Sequence, residues 1–323
     1  MPTIYRNIHL IHNPAARRLQ RSDGSFIPEI LGALRAGGHG VTDVPTSEPG
    51  EATRFARRAV DSGADLVLVA GGDGTVNEVL NGVALTDTPF AVLPLGTANV
   101  LATELGIPRQ PAEAARQVGE WAPERVPVGF LQTPEDGRFF LMMAGVGLDA
   151  SIVVDVDPEL KKRFGKIAYW IGGFGKLGRS FPQFEVAVDG ERWRSSFTLA
   201  SRVRNYGGDL EIAKTACLLD DYFEMVSFEG EDSFRYVMYL TGVLANLLDR
   251  MEGVTIRKTR ELEFTTCGDQ DIYVQVDGEL AGKLPATIEL APDALTLLMP
   301  GSFRERFANR ATAAEPAPPV TSS

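Results

Sequence analysis

The sequence predicts an α/β plus β protein, in which an N-terminal α/β lobe with a mostly parallel sheet precedes a C-terminal antiparallel β-sandwich lobe. Apolar strands alternate with amphipathic helices up to about residue 118, and this order favours a parallel sheet with helices on both faces. After about residue 126, strand-like runs dominate the chain. A glycine-rich turn at 71–74 and a second turn at 94–99 follow buried strands in the first half, at the sheet edge where α/β proteins bind ligands.

The first half contains strand and helix pairs, recognised by apolar runs and by the helical spacing of apolar residues. Strands are predicted at 4–11, 41–44, 66–70 and 90–93, and helices at 26–37, 50–62, 75–80 and 100–105. Asn81-Gly82 is predicted to end the third helix, because these residue types readily adopt the conformation of a helix C-terminus. We assign residues 1–125 to this first domain.

The second half is richer in strands. They are predicted at 126–131, 138–144, 184–188, 194–201, 223–228, 254–259, 261–266, 272–276 and 286–290, with helices at 158–179 and 233–249. We assign residues 126–291 to this second domain. Residues 310–323 are rich in Ala, Pro, Thr and Ser without an apolar period, so they are predicted to form a disordered tail.

The composition argues against several classes of protein. Of the 323 residues, 44 % are hydrophobic and 23 % are charged, as in ordinary globular proteins. The net charge of -11 argues against a nucleic-acid partner, which usually leaves a basic surface. We find neither an apolar run of the ~20 residues that span a bilayer nor a signal peptide, so we expect a cytoplasmic protein. Cys217 and Cys267 have no metal or redox spacing and are interpreted as ordinary thiols.

The most informative stretch is 66–82. Residues 66–70 form a short buried strand, Gly71-Gly72-Asp73-Gly74 turns the chain, and a helix begins at Thr75. Glycines lack Cβ atoms, so the backbone amides of such a turn can approach a phosphate closely. The Asp73 carboxylate would repel that phosphate unless a divalent cation lies between them, which points to a magnesium nucleotide. A tight turn with a solvent-facing Asp73 is the open alternative.

A second glycine-containing segment follows the next strand. Pro94-Leu95-Gly96-Thr97-Ala98-Asn99 comes directly after 90–93, and Asn13 and Thr46 follow the first two strands. Since the carboxyl ends of parallel strands meet at one edge of a sheet, these segments are predicted to converge there. Loop capping is the open alternative for Asn13 and Thr46.

The stretch GGDGTVNEVLNG at 71–82, followed by LPLGTANVLATELGIP at 93–108, resembles the diacylglycerol kinase catalytic-domain family. More narrowly, it resembles the bacterial lipid kinases that share a fold with sphingosine kinases. The resemblance covers about residues 4–300, with further blocks at 145–150, 161–169, 205–208, 218–221 and 276–279. It implies an active site in the cleft between the lobes. It also implies a last strand near 295–299 that returns to the first domain, with the returning segment at about 292–308.

The resemblance also implies roles for individual residues. ATP would be bound by Asn13, Thr46, Gly71, Gly72, Asp73, Gly74, Thr75, Asn77 and Thr97. Asp277 would be the general base that accepts the proton of the lipid hydroxyl, while Glu279 would assist with the cation or the nucleotide. From the residues alone, Asp277-Gly278 is equally a turn former, as is Asp189-Gly190.

Kinase chemistry implies Mg²⁺ with oxygen ligands. Asp73 and Asp149 are the predicted water-mediated partners of the catalytic ion. The related bacterial enzymes also carry a structural Mg²⁺ near a D-G-x-L segment. The resemblance places the ligands of that ion at Leu218, Asp221 and Phe223. Tyr222 stands where a Gly is expected after Asp221, so a charged hairpin turn is the open alternative.

We therefore predict an ATP-dependent lipid kinase that transfers the γ-phosphoryl group to a hydroxyl of a diacylglycerol-like or sphingoid membrane lipid. The alternatives are an NAD kinase-like enzyme, against which the GTAN block argues, and a nucleotide-binding regulator with the kinase fold. Val100, where many relatives carry an acidic residue, is interpreted as a sign of substrate subtype.

The expected partners are ATP and a lipid substrate at the membrane surface. The basic run between Lys161 and Arg179 either meets anionic headgroups at the inner face of the membrane or forms a solvated helix face. A homodimer is left as an open option.

Overall fold

One ten-stranded sheet runs through both halves of the molecule. The structure, a computed structural model, describes residues 2–14, 16, 25–148, 181–206 and 210–314. The first-half strands are β1 (Ile8–His12), β2 (Val41–Pro45), β3 (Leu66–Gly71) and β4 (Phe90–Pro94). The helices are α1 (Phe26–Ala36), α2 (Glu51–Asp61), α3 (Asp73–Val83), α4 (Val100–Leu105) and α5 (Pro111–Gln117), with a 3₁₀ turn at Val118–Glu120.

The parallel strands lie in the order β2-β1-β3-β4. Strands β3 and β4 are buried along their whole length, as expected for parallel strands covered by helices on both faces. His12 pairs with Pro45 and Ala70, and Ala70 pairs with Leu93. Because these residues stand at or next to the ends of their strands, the loops that follow begin at one edge of the sheet.

Helices α2 and α3 approach each other closely at Gly82. A Cβ atom at this position would lie 2.5 Å from both the Cβ of Ala56 and the carbonyl oxygen of Thr53. Helix α3 continues through Asn81-Gly82 to Val83, so the predicted helix end at Asn81-Gly82 is wrong. Gly82 permits close helix packing and does not cap the helix.

The second half is built mainly from antiparallel strands. They are β5 (Ala122–Gln132), β6 (Gly137–Phe140), β7 (Met143–Gly147), β8 (Phe184–Val188), β9 (Glu191–Ser195), β10 (Phe197–Ser201), β11 (Asn205–Tyr206), β12 (Leu210–Glu211), β13 (Phe223–Phe228), β14 (Val254–Thr259), β15 (Glu261–Thr266), β16 (Tyr273–Val276), β17 (Glu279–Lys283) and β18 (Ala286–Met299). The helices are α6 (Ser233–Leu244) and α7 (Gly301–Ala314), with a 3₁₀ turn at Leu248–Arg250.

Strand β18 joins the two halves. Its 14 residues pair antiparallel with β5 and β15 and, at Leu297, parallel with Phe90 of β4. A register shift between Ala291 and Leu295 divides the strand into two paired stretches. We predicted these stretches as two separate strands, the first from its residues and the second from the family resemblance, and the structure joins them in one strand. The first sheet therefore continues from β4 through β18 to β15, β8 and β9.

A second sheet, in the order β14-β13-β10-β7-β16-β17, is antiparallel throughout. Its apolar side chains pack with those of β8, β15 and β18 into one core cluster. Within that core, the ring of Phe140 stacks on that of Phe223, and the ring of Phe184 meets that of Phe264 edge to face. The predicted fold class, an α/β lobe followed by an antiparallel β domain, is confirmed.

Several boundaries differ from the prediction, and three of these differences have a physical reason. The predicted strand at 138–144 is two strands, because the backbone N–H groups of residues 141–143 donate to Asp277. The predicted strand at 194–201 also breaks, at Ser196, whose N–H donates to the carbonyl of Phe228. Helix α7 extends to Ala314, which corrects the first residues of the predicted disordered tail, since the alanine-rich segment 311–314 favours helix.

Two further predictions concern helices. The predicted helix at 158–179, with its basic run, lies outside the described residues. Among the helices that the structure does describe, none combines the length and the apolar character needed to cross a bilayer.

Candidate active site between the two lobes

The site begins where β3 ends. Gly72 stands before the first residue of α3, Asp73, and its backbone is extended. A Cβ at Gly71 would lie 2.7 Å from the Cβ of Thr75, and one at Gly72 would lie 3.2 Å from the Cα of Gly96. The two glycine turns therefore touch at Gly72 and Gly96, where a side chain would push them apart, whereas a side chain at Gly71 would overlap Thr75 of α3. The N-terminus of α3 faces this junction, with the N–H groups and positive dipole end that favour an anion.

Asp73 joins the two turns through its carboxylate. Its Oδ1 accepts a hydrogen bond of 2.9 Å from the backbone N–H of Val100, the first residue of α4. Burial raises the pKa of Asp73 to about 6, the nearby charge of Asp277 adds to this rise, and the Val100 N–H opposes it. The carboxylate thus changes charge close to neutral pH, which is common for groups in functional clefts.

Asp277 is held by four N–H donors. Its Oδ1 accepts from the backbone N–H groups of Met142 at 2.9 Å and Met143 at 3.0 Å. Its Oδ2 accepts from the N–H of Leu141 at 3.0 Å and from the side-chain amide of Asn77 at 2.9 Å. Burial raises the pKa of Asp277, and these donors oppose the rise. Since a carboxylate offers about four lone-pair positions, none remains for a substrate proton.

Glu279 lies two residues further on and has a different environment. Its Oε2 accepts from the guanidinium of Arg138 at 2.7 Å, and its side chain is 41 % exposed. Its Oε1 lies so close above Gly74 that a Cβ on that glycine would overlap it. The second lobe therefore places a partly exposed carboxylate directly over the glycine turn of the first lobe.

Asn77 and Asn81 face strand β6 from one side of α3. The Asn77 side chain donates to Phe139 O at 3.1 Å and accepts from Arg138 Nε at 2.7 Å. Asn81 bonds both backbone polar groups of Phe139, accepting at 2.9 Å and donating at 3.0 Å. Asn77 is fully buried with its amide engaged by the protein, so it makes a contact between the lobes, and its contact with the nucleotide stays a prediction.

Arg138 and Asn81 were not predicted as site residues. The spacing of Asn77 and Asn81, four residues apart on one helix face, is a signal that could have indicated a polar contact. For Arg138 we find no such signal, because its partners Asn77 and Glu279 are distant in the chain.

The remaining predicted nucleotide ligands line the edge of the sheet. Asn13 follows β1 directly, Thr75 lies in the first turn of α3, and Thr97 is exposed in the loop after β4. Thr46 is buried, and both its N–H and its hydroxyl donate to His12 O, at 2.8 and 3.3 Å. Thr46 thus makes the capping contact that was its open alternative, although its hydroxyl oxygen can still accept a hydrogen bond.

The two predicted metal sites differ in how well their residues fit Mg²⁺. Asp73 offers a hard oxygen ligand at the cleft, whereas Asp149 lies outside the described residues. Within the described chain, no group of three or more His, Cys, Asp or Glu side chains is arranged to hold a metal. A nucleotide-bound Mg²⁺ does not require such a group, since phosphates and water supply most of its ligands.

The second predicted metal site does not fit a divalent ion. The carbonyl of Leu218 accepts a hydrogen bond from the guanidinium of Arg202. The carboxylate of Asp221 forms an ion pair with the guanidinium of Arg260. Phe223 is part of β13 and pairs with Thr259 of β14. Two of the three predicted ligands are therefore engaged by cationic side chains, which would repel a metal ion at the same oxygens.

Comparisons with known proteins agree with this architecture. Residues 7–131 match the family model of the diacylglycerol kinase catalytic domain, and residues 142–299 match that of the YegS C-terminal NAD kinase beta sandwich-like domain. A protein of Chromohalobacter salexigens named probable lipid kinase YegS-like is 32 % identical over 281 residues, which cover 85 % of this chain and 88 % of that protein. The diacylglycerol kinase of Bacillus subtilis is 27 % identical over 286 residues, covering 87 % and 92 %.

A crystal structure of a diacylglycerol kinase from Bacillus anthracis covers 93 % of this chain and 99 % of its own, with a TM-score of 0.70 and 24 % identity. At this identity the likeness supports the fold alone. The two family models and the relatives together establish that the chain belongs to the lipid kinase family that combines a diacylglycerol kinase catalytic domain with a YegS-like C-terminal domain.

Proposed function

We propose that this protein is an ATP-dependent lipid kinase, which transfers the γ-phosphoryl group of ATP to a hydroxyl of a diacylglycerol-like or sphingoid lipid. One observation carries the proposal: the first turn of α3, which begins with Asp73 at the glycine turns, lies directly below the carboxylate of Glu279 from the opposite lobe. Phosphoryl transfer needs a phosphate cradle, charge neutralisation and a group that orients the acceptor, and this cleft offers a candidate for each.

The nucleotide binds along the edge of the parallel sheet. The phosphates lie at the N-terminus of α3, beside the tight turn that contains Gly71, Gly72 and Gly74. Asn13, Thr46, Thr75 and Thr97 supply neutral hydrogen-bonding groups around them. Asp73 would hold Mg²⁺ together with the phosphates, and the ion, when bound, would neutralise phosphate charge.

Glu279 is the better candidate for the general base. Its carboxylate is partly exposed over Gly74, whereas that of Asp277 is filled by four protein donors. The lipid O–H bond breaks as its proton passes to Glu279, the oxygen bonds to the γ-phosphorus, and the bond to the β-phosphate oxygen breaks to release ADP. We therefore revise the role of Asp277 from base to positioning residue, since it holds the β16–β17 turn that carries Glu279.

The test is a phosphorylation assay with purified protein, Mg²⁺ and γ-labelled ATP. Diacylglycerol, a sphingoid base and a mixed phospholipid extract serve as acceptors in detergent micelles, with NAD in a parallel reaction. Labelled lipid would support the proposal, and labelled NADP would favour the NAD kinase-like alternative. Tight ATP binding without any labelled product would favour the regulator. Asp73→Asn protein is the matched control, since label that persists with it would come from a contaminating kinase.

A further inference from the structure

A buried arginine organises the loop that leads into β13. The side chain of Arg202 is fully buried, at 0 % exposed. One terminal nitrogen of its guanidinium donates to Leu218 O, and the other donates to Asp220 O at 3.3 Å. A single guanidinium group thus donates hydrogen bonds to two carbonyl oxygens of the loop before β13.

The same loop meets a second arginine on its outer side. The Nε of Arg260 donates to Asp221 O at 2.9 Å, and its terminal nitrogen bonds the Asp221 carboxylate. The Arg260 side chain is 69 % exposed, so this contact contributes less than the buried one. The loop is further closed by Glu224, whose carboxylate accepts from both the N–H and the hydroxyl of Thr215 at 2.6 Å.

These arginine contacts involve the kinds of oxygen atom that a structural metal ion would bind. A divalent ion in such a loop would bind carbonyl oxygens and a carboxylate, and here guanidinium groups bind oxygens of the same kinds. Arginine is suited to this task, because its planar fork donates to several acceptors at fixed angles. Burial lowers the pKa of Arg202 to about 10, and the charge of Asp220 opposes the fall, so the side chain is cationic at neutral pH.

We propose that Arg202, assisted by Arg260, replaces the structural divalent ion that the family resemblance implies for this loop. The second lobe is then stable without a metal ion. A metal at Leu218 and Asp221 would have to displace two guanidinium groups, and that of Arg202 is fully buried. This inference concerns the folded loop and does not depend on the proposed phosphoryl transfer.

The first test measures metal in nucleotide-free protein. After dialysis against buffer with a trace of free Mg²⁺, elemental analysis is expected to find well below one equivalent of Mg²⁺, Ca²⁺ or Mn²⁺ per chain. The melting temperature is expected to be the same in EDTA and in excess Mg²⁺. An occupied structural site would instead shift the melting temperature by several degrees when the ion exceeds its Kd about 100-fold.

A variant separates this site from the active site. Asp73→Asn removes the predicted ligand of the catalytic ion, so metal that disappears in this variant belonged to the cleft and the proposal stands. A tightly held equivalent that persists in Asp73→Asn, together with a loss of melting temperature in EDTA, would overturn it. Because these readouts use no lipid or ATP, they are independent of the outcome of the kinase assay.

Substitution of the arginine tests its contribution directly. Arg202→Lys keeps the charge but loses the fork that reaches two carbonyls, and it is expected to lower the melting temperature in a way that Mg²⁺ does not restore. Arg202→Met is expected to lower it further or to prevent folding. Arg257→Met, which removes an arginine paired with Glu191 at a strand surface, is the control with a small effect. An unchanged melting temperature for Arg202→Lys would contradict the proposal.

Discussion

Asp73 carries a carboxylate whose ionisation is shifted towards neutral pH. Burial raises its pKa in the folded protein to about 6 from a reference value of 3.8. Between these two values the folded state binds more protons than the unfolded state, so the free energy of unfolding falls as the pH rises through this window. The ionised carboxylate is therefore maintained at a cost in stability, as is common for functional groups.

We predict that Asp73→Asn raises the free energy of unfolding at pH 7.5 by on the order of 2 kcal/mol while abolishing activity. The difference between the variant and the wild type is expected to shrink as the pH falls from 7 to 4. Chemical denaturation of nucleotide-free protein over this range measures it. Asp87→Asn, at an exposed loop carboxylate, is the control, and a difference independent of pH would contradict the argument.

Asp277 and Glu279 are predicted to respond differently to loss of charge. Glu279→Gln keeps the size of the side chain and is expected to lower kcat by about 100-fold or more, with ATP affinity and melting temperature near those of the wild type. Asp277→Asn sets an amide N–H against backbone N–H donors and is expected to cost about 3 kcal/mol of stability. Calorimetry, nucleotide titration and steady-state kinetics on both variants measure these effects.

The kinetics of the two variants show which of the two carboxylates is the base. Full activity in Glu279→Gln would remove this residue from the mechanism. A stable Asp277→Asn protein with normal ATP affinity but no turnover would restore Asp277 as the base.

At the scale of elements, helix α3 is the contact between the lobes. Its first turn lies below Glu279 of β17, and its Asn77 and Asn81 bond to β6 and to the turn before β17. Because these contacts come from both ends of one rigid element, they fix the distance between the glycine turn and the carboxylate above it.

Gly74 gives a specific test of this geometry. In an ordinary helix, Gly→Ala stabilises by about 1 kcal/mol, but here the new Cβ would overlap Glu279 Oε1. We predict that Gly74→Ala lowers kcat by about 10-fold or more, with little change in melting temperature, since a misplaced catalytic group can cost ~100-fold.

Gly32 provides the matched control for that substitution. It lies in α1, and a Cβ there would meet no atom within 4 Å, so Gly32→Ala is expected to stabilise without affecting turnover. Kinetics and thermal melts of both variants check the prediction. Equal activity of Gly74→Ala and Gly32→Ala would show that Glu279 is not positioned by this contact.

At the scale of the whole molecule, the shared strand β18 couples the lobes. It pairs with β4 of the parallel sheet and with β5 and β15 of the antiparallel part. Separate unfolding of either lobe would break part of this strand's pairing and expose the buried contacts of α3 with β6.

We therefore predict that the two lobes unfold in one cooperative transition. Scanning calorimetry is expected to give one peak, with agreement between the calorimetric and van't Hoff enthalpies. Two resolved peaks, or different midpoints for fluorescence near Trp121 and Trp193 in single-tryptophan variants, would contradict the coupling.

Most of the first lobe could be predicted from the sequence, although α5 was not predicted and the end of α3 was predicted too early. Its strands and helices have local patterns, and the observed bounds of β3, β4, α2 and α4 lie within one residue of those expected. The convergence of the loops at one edge follows from parallel order. Strand breaks in the second lobe could not be predicted, because the donors and acceptors that interrupt β6–β7 and β9–β10 pair with residues distant in the chain.

The sequence by itself determined the fold class, the family and the glycine turns, because these depend on periodicity and on residues close in the chain. Only the tertiary structure distinguishes the environments of the Asp189 and Asp277 carboxylates. Asp189 and Asp277 share the same turn conformation, with φ of 51° and 50° before a glycine, yet Asp189 is exposed and Asp277 is 7 % exposed. The physical reason is that the four donors to Asp277 come from positions more than 130 residues away in the chain.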